Sequence, residues 1–304
     1  MELRHIRYFL TVAEEGNLTK AAERLMMAQP PLSRQIRDLE EELGTPLFIR
    51  KNHGVSLTEA GVRFRQYANQ IVALSDRSVE DIKDMSEGLN GILYLATVEA
   101  KAPQILSGWI ADFAAKYPHV EYNLWNGNTD DVVYRVKNGL CEIAVITSPY
   151  DEEELIGTEV FTEPWVAMIP ADHPLAKEQG DSIKLKELAQ YNLLIPSRAS
   201  RLREIEDWFA PMDLVPKVVC RLAHMQNAIE LTKSGMGIAI FPAAVKEYID
   251  EGIVVKRITE PDVTASYVCV RSKEHKLSKL AEEFWDNIIS RNKSKNKNKN
   301  RNKK

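Results

Sequence analysis

No stretch of this chain approaches the roughly 20 consecutive apolar residues that a membrane-spanning helix needs. Charge appears within the first seven residues, so neither a membrane anchor nor an export signal is expected. Cysteine is nearly absent: Cys141, Cys220 and Cys269 are odd in number, far apart and each set in an apolar run. That pattern favours buried free thiols over disulfides or metal ligands, and a reducing, cytoplasmic setting. His5, His53, His119, His173, His224 and His275 stand isolated from one another, without metal-ligand spacing. Also missing are the Gly-x-Ser-x-Gly elbow of hydrolases and the Gly-x-x-x-x-Gly-Lys phosphate loop. With no reacting constellation and no metal or cofactor motif, the sequence does not read as an enzyme.

Charge of one sign is scarce only locally. Residues 1–65 carry ten Lys and Arg against nine Asp and Glu, and residues 291–304 eight against none. Residues 66–290 are left with 22 against 35, a net of −13 inside an overall −4. A middle that acidic repels phosphate, so any nucleic-acid contact is expected in the N-terminal region or the tail. The 44% hydrophobic and 28% charged residues are ordinary for a globular protein, and 304 residues suit two or three domains.

Residues 17–43 read as two helices joined by a tight turn. Thr19 is the expected N-cap of a helix reaching about Leu25. Gln29-Pro30-Pro31 restarts the chain, because proline is tolerated where a first-turn N–H has no partner anyway. Leu32, Ile36, Leu39 and Leu43 then recur at spacings of four, three and four, an apolar stripe that must face a core, before Gly44 ends the helix. Ser33, Arg34 and Arg37 are left pointing outward near the helix start, where backbone N–H groups attract phosphate and a recognition helix meets base edges. An ordinary solvated helix face is the competing reading of this segment alone.

Pro46 to Arg50 and Val55 to Thr58 are short apolar runs around Arg50-Lys51-Asn52-His53-Gly54, which predicts a two-stranded wing with a basic tip. Arg50, Lys51 and His53 are expected against the phosphate backbone, positioning the module without reading sequence. The chain now resembles the LysR-type transcriptional regulators. The residues that carry the resemblance are Leu3-Arg4-His5-Ile6-Arg7-Tyr8-Phe9, Ala21-Ala22-Glu23-Arg24-Leu25, Gln29-Pro30-Pro31-Leu32-Ser33-Arg34-Gln35-Ile36, Leu39-Glu40, Leu43-Gly44, Leu47-Phe48-Ile49-Arg50 and Leu57-Thr58-Glu59-Ala60-Gly61. It continues more faintly to about residue 290, through His173-Pro174-Leu175-Ala176 and Gly235-Met236-Gly237-Ile238-Ala239-Ile240-Phe241-Pro242. It implies a bacterial, sequence-specific regulator whose winged helix-turn-helix, residues 1–58, binds double-stranded promoter DNA. The expected contact set is Thr19, Gln29, Pro30, Pro31, Ser33, Arg34, Arg37, Arg50, Lys51 and His53.

Thr58-Glu59 opens a linker helix, residues 59–88, expected to run through about Glu87 with Phe64, Tyr67, Ile71, Leu74, Ile82 and Met85 on one narrow stripe. Such a helix does not stay alone in water. It packs either on the same helix of a second subunit or on its own body. The resemblance implies the homodimer, and often a tetramer through the C-terminal domains, with winged modules on successive major grooves roughly 34 Å apart.

From Gly91 short strands and helices alternate: strands Ile92 to Thr97, Val120 to Trp125 and Leu140 to Ile146, with helices from Pro103 and Asp130 between them. That run implies a parallel sheet. A second set has strands near Trp165 to Ile169, Tyr191 to Ile195, Val218 to Leu222 and Ile238 to Phe241, and a strand Tyr267 to Arg271 and helix Ser278 to Ile289 close the domain. The resemblance implies a two-lobed α/β effector-binding domain, residues 89–290, like periplasmic solute-binding proteins. Lobe I is expected at about 91–161 and 266–290, and lobe II at about 162–265, around one cleft.

Ligands bind at the carboxyl ends of parallel strands. This nominates Thr97, Glu99, Ala100, Asn128, Thr129, Ser197, Arg198, Ser200 and Met225 as effector-binding residues. Hydroxyls, amides and bare N–H groups suit a small acid, although the same residue types are ordinary helix caps. Glu99 repels an anion unless Lys101 or Arg198 offsets it, so an amine or an uncharged effector stays open. Cys141-Glu142, where the family often carries leucine and aspartate, is read as local packing.

Residues 291–304 alternate Lys with Asn and have no apolar side chain, the composition of a disordered tail. Non-specific attraction to nucleic acid and plain solvation both fit it. A transporter's solute-binding protein shares the two-lobed domain, but residues 1–60 and the missing export signal argue against it. Expected partners are promoter DNA, a small-molecule effector, further copies of the chain and the transcription machinery. Activation and repression are equally open.

Overall fold

The computed structural model describes residues 1–51, 54–84, 90–243, 246, 248–249 and 251–301, and the chain divides after Gly88 into two compact units. In the first, helices α1 (Leu3–Glu15), α2 (Leu18–Arg24) and α3 (Gln29–Leu43) precede a hairpin, β1 (Phe48–Lys51) and β2 (Gly54–Leu57), and a long helix α4 (Glu59–Asp84). Their core joins Ile6, Phe9 and Val12 of α1 to Ala21 and Ala22 of α2 and Leu32, Ile36 and Leu39 of α3. Leu43 lies outside it, 38% exposed, because it is the last helical residue before left-handed Gly44.

The cap of α2 differs from the sequence expectation. Asn17, not Thr19, does the capping: its Oδ1 accepts from the backbone N–H of Thr19 (2.8 Å) and of Lys20 (3.2 Å). Asparagine ranks above threonine in that role, and the helix starts correspondingly earlier, at Leu18. Thr58 caps α4 as expected, with Oγ1 accepting from Gly61 N–H at 2.9 Å. The hairpin is antiparallel, Phe48 opposite Leu57, and its Val55 N–H donates to the carbonyl of Gly16 at 2.8 Å. The α4 helix divides the two readings of the linker. Phe64 and Ala68 turn into the core, whereas Tyr67, Ile71, Leu74 and Val79 stay exposed. Met85, Glu87 and the side chain of Ile82 lie outside the described residues.

The second unit opens with β3 (Gly91–Thr97), α5 (Ala102–Lys116), β4 (Val120–Asn126), α6 (Thr129–Lys137), β5 (Ile143–Thr147) and a long strand β6 (Leu155–Pro170). Lobe II follows with α7 (Pro174–Lys177), β7 (Ser182–Lys184), α8 (Leu185–Leu188), β8 (Leu193–Pro196), α9 (Ala199–Phe209), β9 (Val218–Leu222), α10 (Met225–Lys233), β10 (Ile238–Pro242) and β11 (Ile253–Thr259). The chain ends with β12 (Thr264–Ser272) and α11 (Lys279–Arg301). Strand order β4-β3-β5-β12-β6 forms one lobe, and β6-β10-β8-β9 with β11 and β7 the other. The β6 strand belongs to both: Leu155 to Pro164 pair with β12, Trp165 to Met168 with β10 and Val166 to Pro170 with β11.

The crossing expected near residue 162 thus falls between Pro164 and Trp165. The expected strand from Leu140 begins only at Ile143, and β7 and β11 have no counterpart in the sequence reading. The last helix continues to Arg301 where an unordered tail was expected. Adding turns to an existing helix needs no new nucleus, and lysine is a fair helix former. Glu142, 4% exposed, accepts from Ser278 N–H at 2.8 Å and so anchors the start of α11, a more specific role than packing. Cys141 and Cys269 are buried and Cys220 partly so, all as free thiols, and burial pushes the Cys269 thiol up. Among the described residues no helix is long and apolar enough to cross a membrane.

Candidate functional site

In the first unit, burial of Leu32, Ile36 and Leu39 turns the opposite face of α3 to solvent. Arg34, Arg37 and Arg50 are exposed, and among the described residues no carboxylate pairs with them. Ser33, Arg37 and Arg50 line one shallow crevice between α3 and the wing. Glu40 lies in the same crevice, but its Oε1 accepts from the backbone N–H of Leu47 (2.7 Å) and Phe48 (3.0 Å), which ties the wing to α3. Pro30 and Pro31 are exposed in the first turn of α3, with Gln29 partly covered beside them. Thr19 is exposed on the first turn of α2. Lys51 ends β1, and His53 lies outside the described residues.

The second unit holds a cleft of about 410 Å³ between its lobes. Of the nominated residues, Glu99, Ala100, Asn128, Thr129, Ser197, Arg198 and Met225 line it. Thr97 and Ser200 do not: the Thr97 hydroxyl donates to Val98 O at 2.9 Å, and Ser200 is turned into the protein on α9. Asn128 caps α6, accepting from Asp131 N–H at 2.9 Å, and Thr129 meets Thr147 hydroxyl to hydroxyl at 3.3 Å. Ala100 adopts a left-handed φ of 67°, a sparsely populated conformation that clusters at ligand sites.

Two side chains cross the cleft mouth. Arg198 reaches lobe I, donating from Nε to Asp130 (3.0 Å), from Nη1 to Thr147 O (3.3 Å) and from Nη2 to Pro149 O (3.0 Å). Burial draws its guanidinium below its ordinary range while Asp130 pulls the other way, and it remains charged. Glu99 reaches lobe II, with Oε1 2.7 Å from His224 Nδ1 and Oε2 accepting from Met225 N–H (3.3 Å) at the start of α10. Its hydrogen-bond partners are therefore His224 and a helix N-terminus rather than Lys101 or Arg198. Deeper in, Tyr267 donates to buried Glu163 at 2.6 Å, and burial, then that carboxylate, pushes the phenol up. Sequence reasoning missed Trp165, Arg201 and Tyr267, which also line the cleft. Arg201 alone left a trace, one helical turn beyond Arg198.

A winged helix-turn-helix unit with uncommitted arginines, followed by a two-lobed α/β unit around a ligand-sized cleft, defines a DNA-binding regulator that answers to a small molecule. Residues 3–62 match the family model for bacterial regulatory helix-turn-helix proteins of the lysR family, and residues 86–293 that for the LysR substrate binding domain. The chain is 31% identical over 294 residues to YnfL of Escherichia coli, an uncharacterized HTH-type transcriptional regulator, covering 95% of this chain and 98% of that protein. It is 33% identical over 249 residues to the HTH-type transcriptional regulator BudR of Raoultella terrigena, covering 81% and 86%. Among solved structures, CbnR complexed with its target DNA aligns with a TM-score of 0.74 at 25% identity, over 95% of this chain and 99% of that one. Full-length BenM aligns at 0.57 and 28%, over 97% and 98%. The chain belongs to the LysR family of transcriptional regulators, with a helix-turn-helix DNA-binding domain and an effector-binding domain.

Proposed function

We propose that α3 enters the major groove of promoter DNA with Ser33 and Arg34 on base edges, while Arg37, Arg50 and Lys51 rest on phosphates. The observation that carries this reading is the set of arginines on α3 and the adjacent wing, exposed and without carboxylate partners. Thr19, Gln29, Pro30, Pro31 and His53 complete the interface as backbone contacts around the groove. A solved relative, CbnR, is described in complex with its target DNA, which supports the same use here.

The two substitutions separate the roles. Arg34→Ala is expected to lower discrimination between the chain's own upstream sequence and random duplex by about 1–3 kcal/mol. Arg50→Ala is expected to weaken both duplexes alike and to shallow the salt dependence by about one charge. Gel-shift titrations across a salt series read both; identical effects on cognate and random DNA would overturn the division of labour.

Tyr67, Ile71 and Leu74 on α4 form the surface for the same helix of a second copy, and a tetramer follows from contacts between C-terminal domains. The exposure of these apolar side chains, at spacings of four and three, supports it. Leu74→Glu is expected to shift the assembly toward monomers in sedimentation velocity and to weaken binding of a two-half-site operator at least tenfold; an unchanged assembly overturns this surface.

The effector sits between the lobes, in contact with the loops around Glu99 to Ala100, Asn128 to Thr129, Ser197 to Arg198 and Met225. Because Arg198 and Glu99 bridge the lobes, a ligand that binds the closed arrangement better shifts the population toward it. The spacing of winged modules, and the bend in the promoter presented to the transcription machinery, changes with it.

A further inference from the structure

We infer that the cleft takes an apolar monoanion, a small carboxylate with a hydrocarbon or aryl body, and that Arg201 and Trp165 hold its charged end. This rests on the reading of the cleft as the effector site and names the class of effector. Arg201 is 4% exposed and Trp165 1%, and both line the cleft. The guanidinium lies over the indole, 5.2 Å from the ring centroid, and its Nη1 donates to Glu204. Its Nη2 and the Trp165 Nε1 are buried without a hydrogen-bond partner. Buried N–H groups without acceptors are rare and costly. Both groups are donors only, so the ligand atom that satisfies them must be an acceptor. The guanidinium is always cationic and its planar fork matches a carboxylate, so opposite charge favours carboxylate over amide.

The other charged side chains around the cleft are already hydrogen-bonded within the protein. Arg198 is committed to Asp130 and two carbonyls of lobe I, Glu99 to His224 and α10, and Asp131 to Asn128 Nδ2 at 2.6 Å. Glu163 accepts from Tyr267. Among the described residues that line the cleft, Arg201 thus offers the cationic nitrogen that is buried with no acceptor. Val98, Leu222, Met225 and Phe241 supply an apolar wall, together with the rings of Trp165 and Tyr267. A second ionised group on the ligand would be desolvated against that wall, which disfavours dicarboxylates. A cleft of about 410 Å³ lies at the small end of ligand sites and suits one such molecule.

A charge-matched series tests this by calorimetry on the full-length protein. Phenylacetate and 4-methylpentanoate are expected to bind. Phenylacetamide should bind roughly tenfold to a hundredfold more weakly, and 2-phenylethylamine and succinate not measurably. Trp165→Phe keeps the ring, removes one donor and should weaken phenylacetate several-fold. Arg201→Gln should erase the preference for phenylacetate over its amide. Should Arg201→Gln not fold, Arg201→Lys and the wild-type acid-to-amide ratio decide. An amide or amine that binds as tightly as the acid overturns the proposal, as does an Arg201 variant with unchanged acid affinity. Failure of every probe overturns the proposed ligand class while leaving the effector cleft open to other chemistry. Hydrogen exchange separates the two levels. Acid binding that protects residues 97–101 and 196–201 yet ignores Arg201 rejects only the anchor, whereas acid binding that protects other segments rejects the cleft reading as well.

Discussion

A Phe9→Ala variant is expected to lose most of its DNA binding while the second unit keeps its own unfolding transition. Phe9 is fully buried, and its ring lies 5.2 Å from that of Phe48 on the wing and 4.9 Å from that of Phe64 on α4. One side chain therefore joins α1, the wing and the long helix, and truncating it leaves a cavity where three elements meet. Phe→Ala in a core costs about 3–5 kcal/mol, a large share of the roughly 5–15 kcal/mol that holds a domain folded. For a unit of this size that corresponds to a fall in melting temperature of more than roughly 10 °C. Calorimetry of the full chain, with the two transitions resolved, checks it; a first transition that moves by only a few degrees would show that the three elements do not depend on this ring.

Gly54→Ala should be nearly as damaging, for a different reason. Gly54 has a φ of 140°, and a Cβ built there lies 2.3 Å from the carbonyl oxygen of Gly16. The backbone conformation is strained for any L side chain, at about 1–3 kcal/mol, and overpacking against main chain adds a comparable amount. The obstruction is backbone, so the wing must lift from the α1–α2 turn that Val55 N–H holds at 2.8 Å. Arg50 then leaves the crevice it shares with Ser33 and Arg37. Affinity for cognate and random DNA is expected to drop together, about tenfold or more, the signature of lost phosphate contacts. A variant that binds both duplexes normally would mean that the wing contributes nothing to affinity.

The first unit was readable in the sequence only in part. The stripe Leu32, Ile36, Leu39 announced the buried face of α3 because helical periodicity is a local property, and its complement gave Ser33, Arg34 and Arg37 directly. The first βαβαβ run was equally local. Thr19 was mistaken for the cap because two good capping residues stand two apart and only backbone geometry chooses Asn17. The close approach of Gly54 to Gly16 was invisible, since the two lie far apart along the chain and their contact is tertiary.

In the cleft, loop residues followed from the rule that ligands gather at strand ends, yet the stacked pair of Trp165 and Arg201 did not. Trp165 sits inside a strand that looks like core, and Arg201 on a helix where charge normally means solvent. Only folding puts the one over the other. The β6 strand was cut short for a related reason. Its first half alternates polar residues such as Thr158, Glu159 and Thr162 with few apolar ones, and pairing with β12 rather than hydrophobicity keeps it extended.

That shared strand also restricts how the lobes can move. A ribbon stitched into both sheets resists sliding of one lobe past the other and joins them at the handover from Pro164 to Trp165. The indole of Trp165, which lines the cleft, is thus mounted at that junction, and whatever steadies it stiffens the join between the lobes.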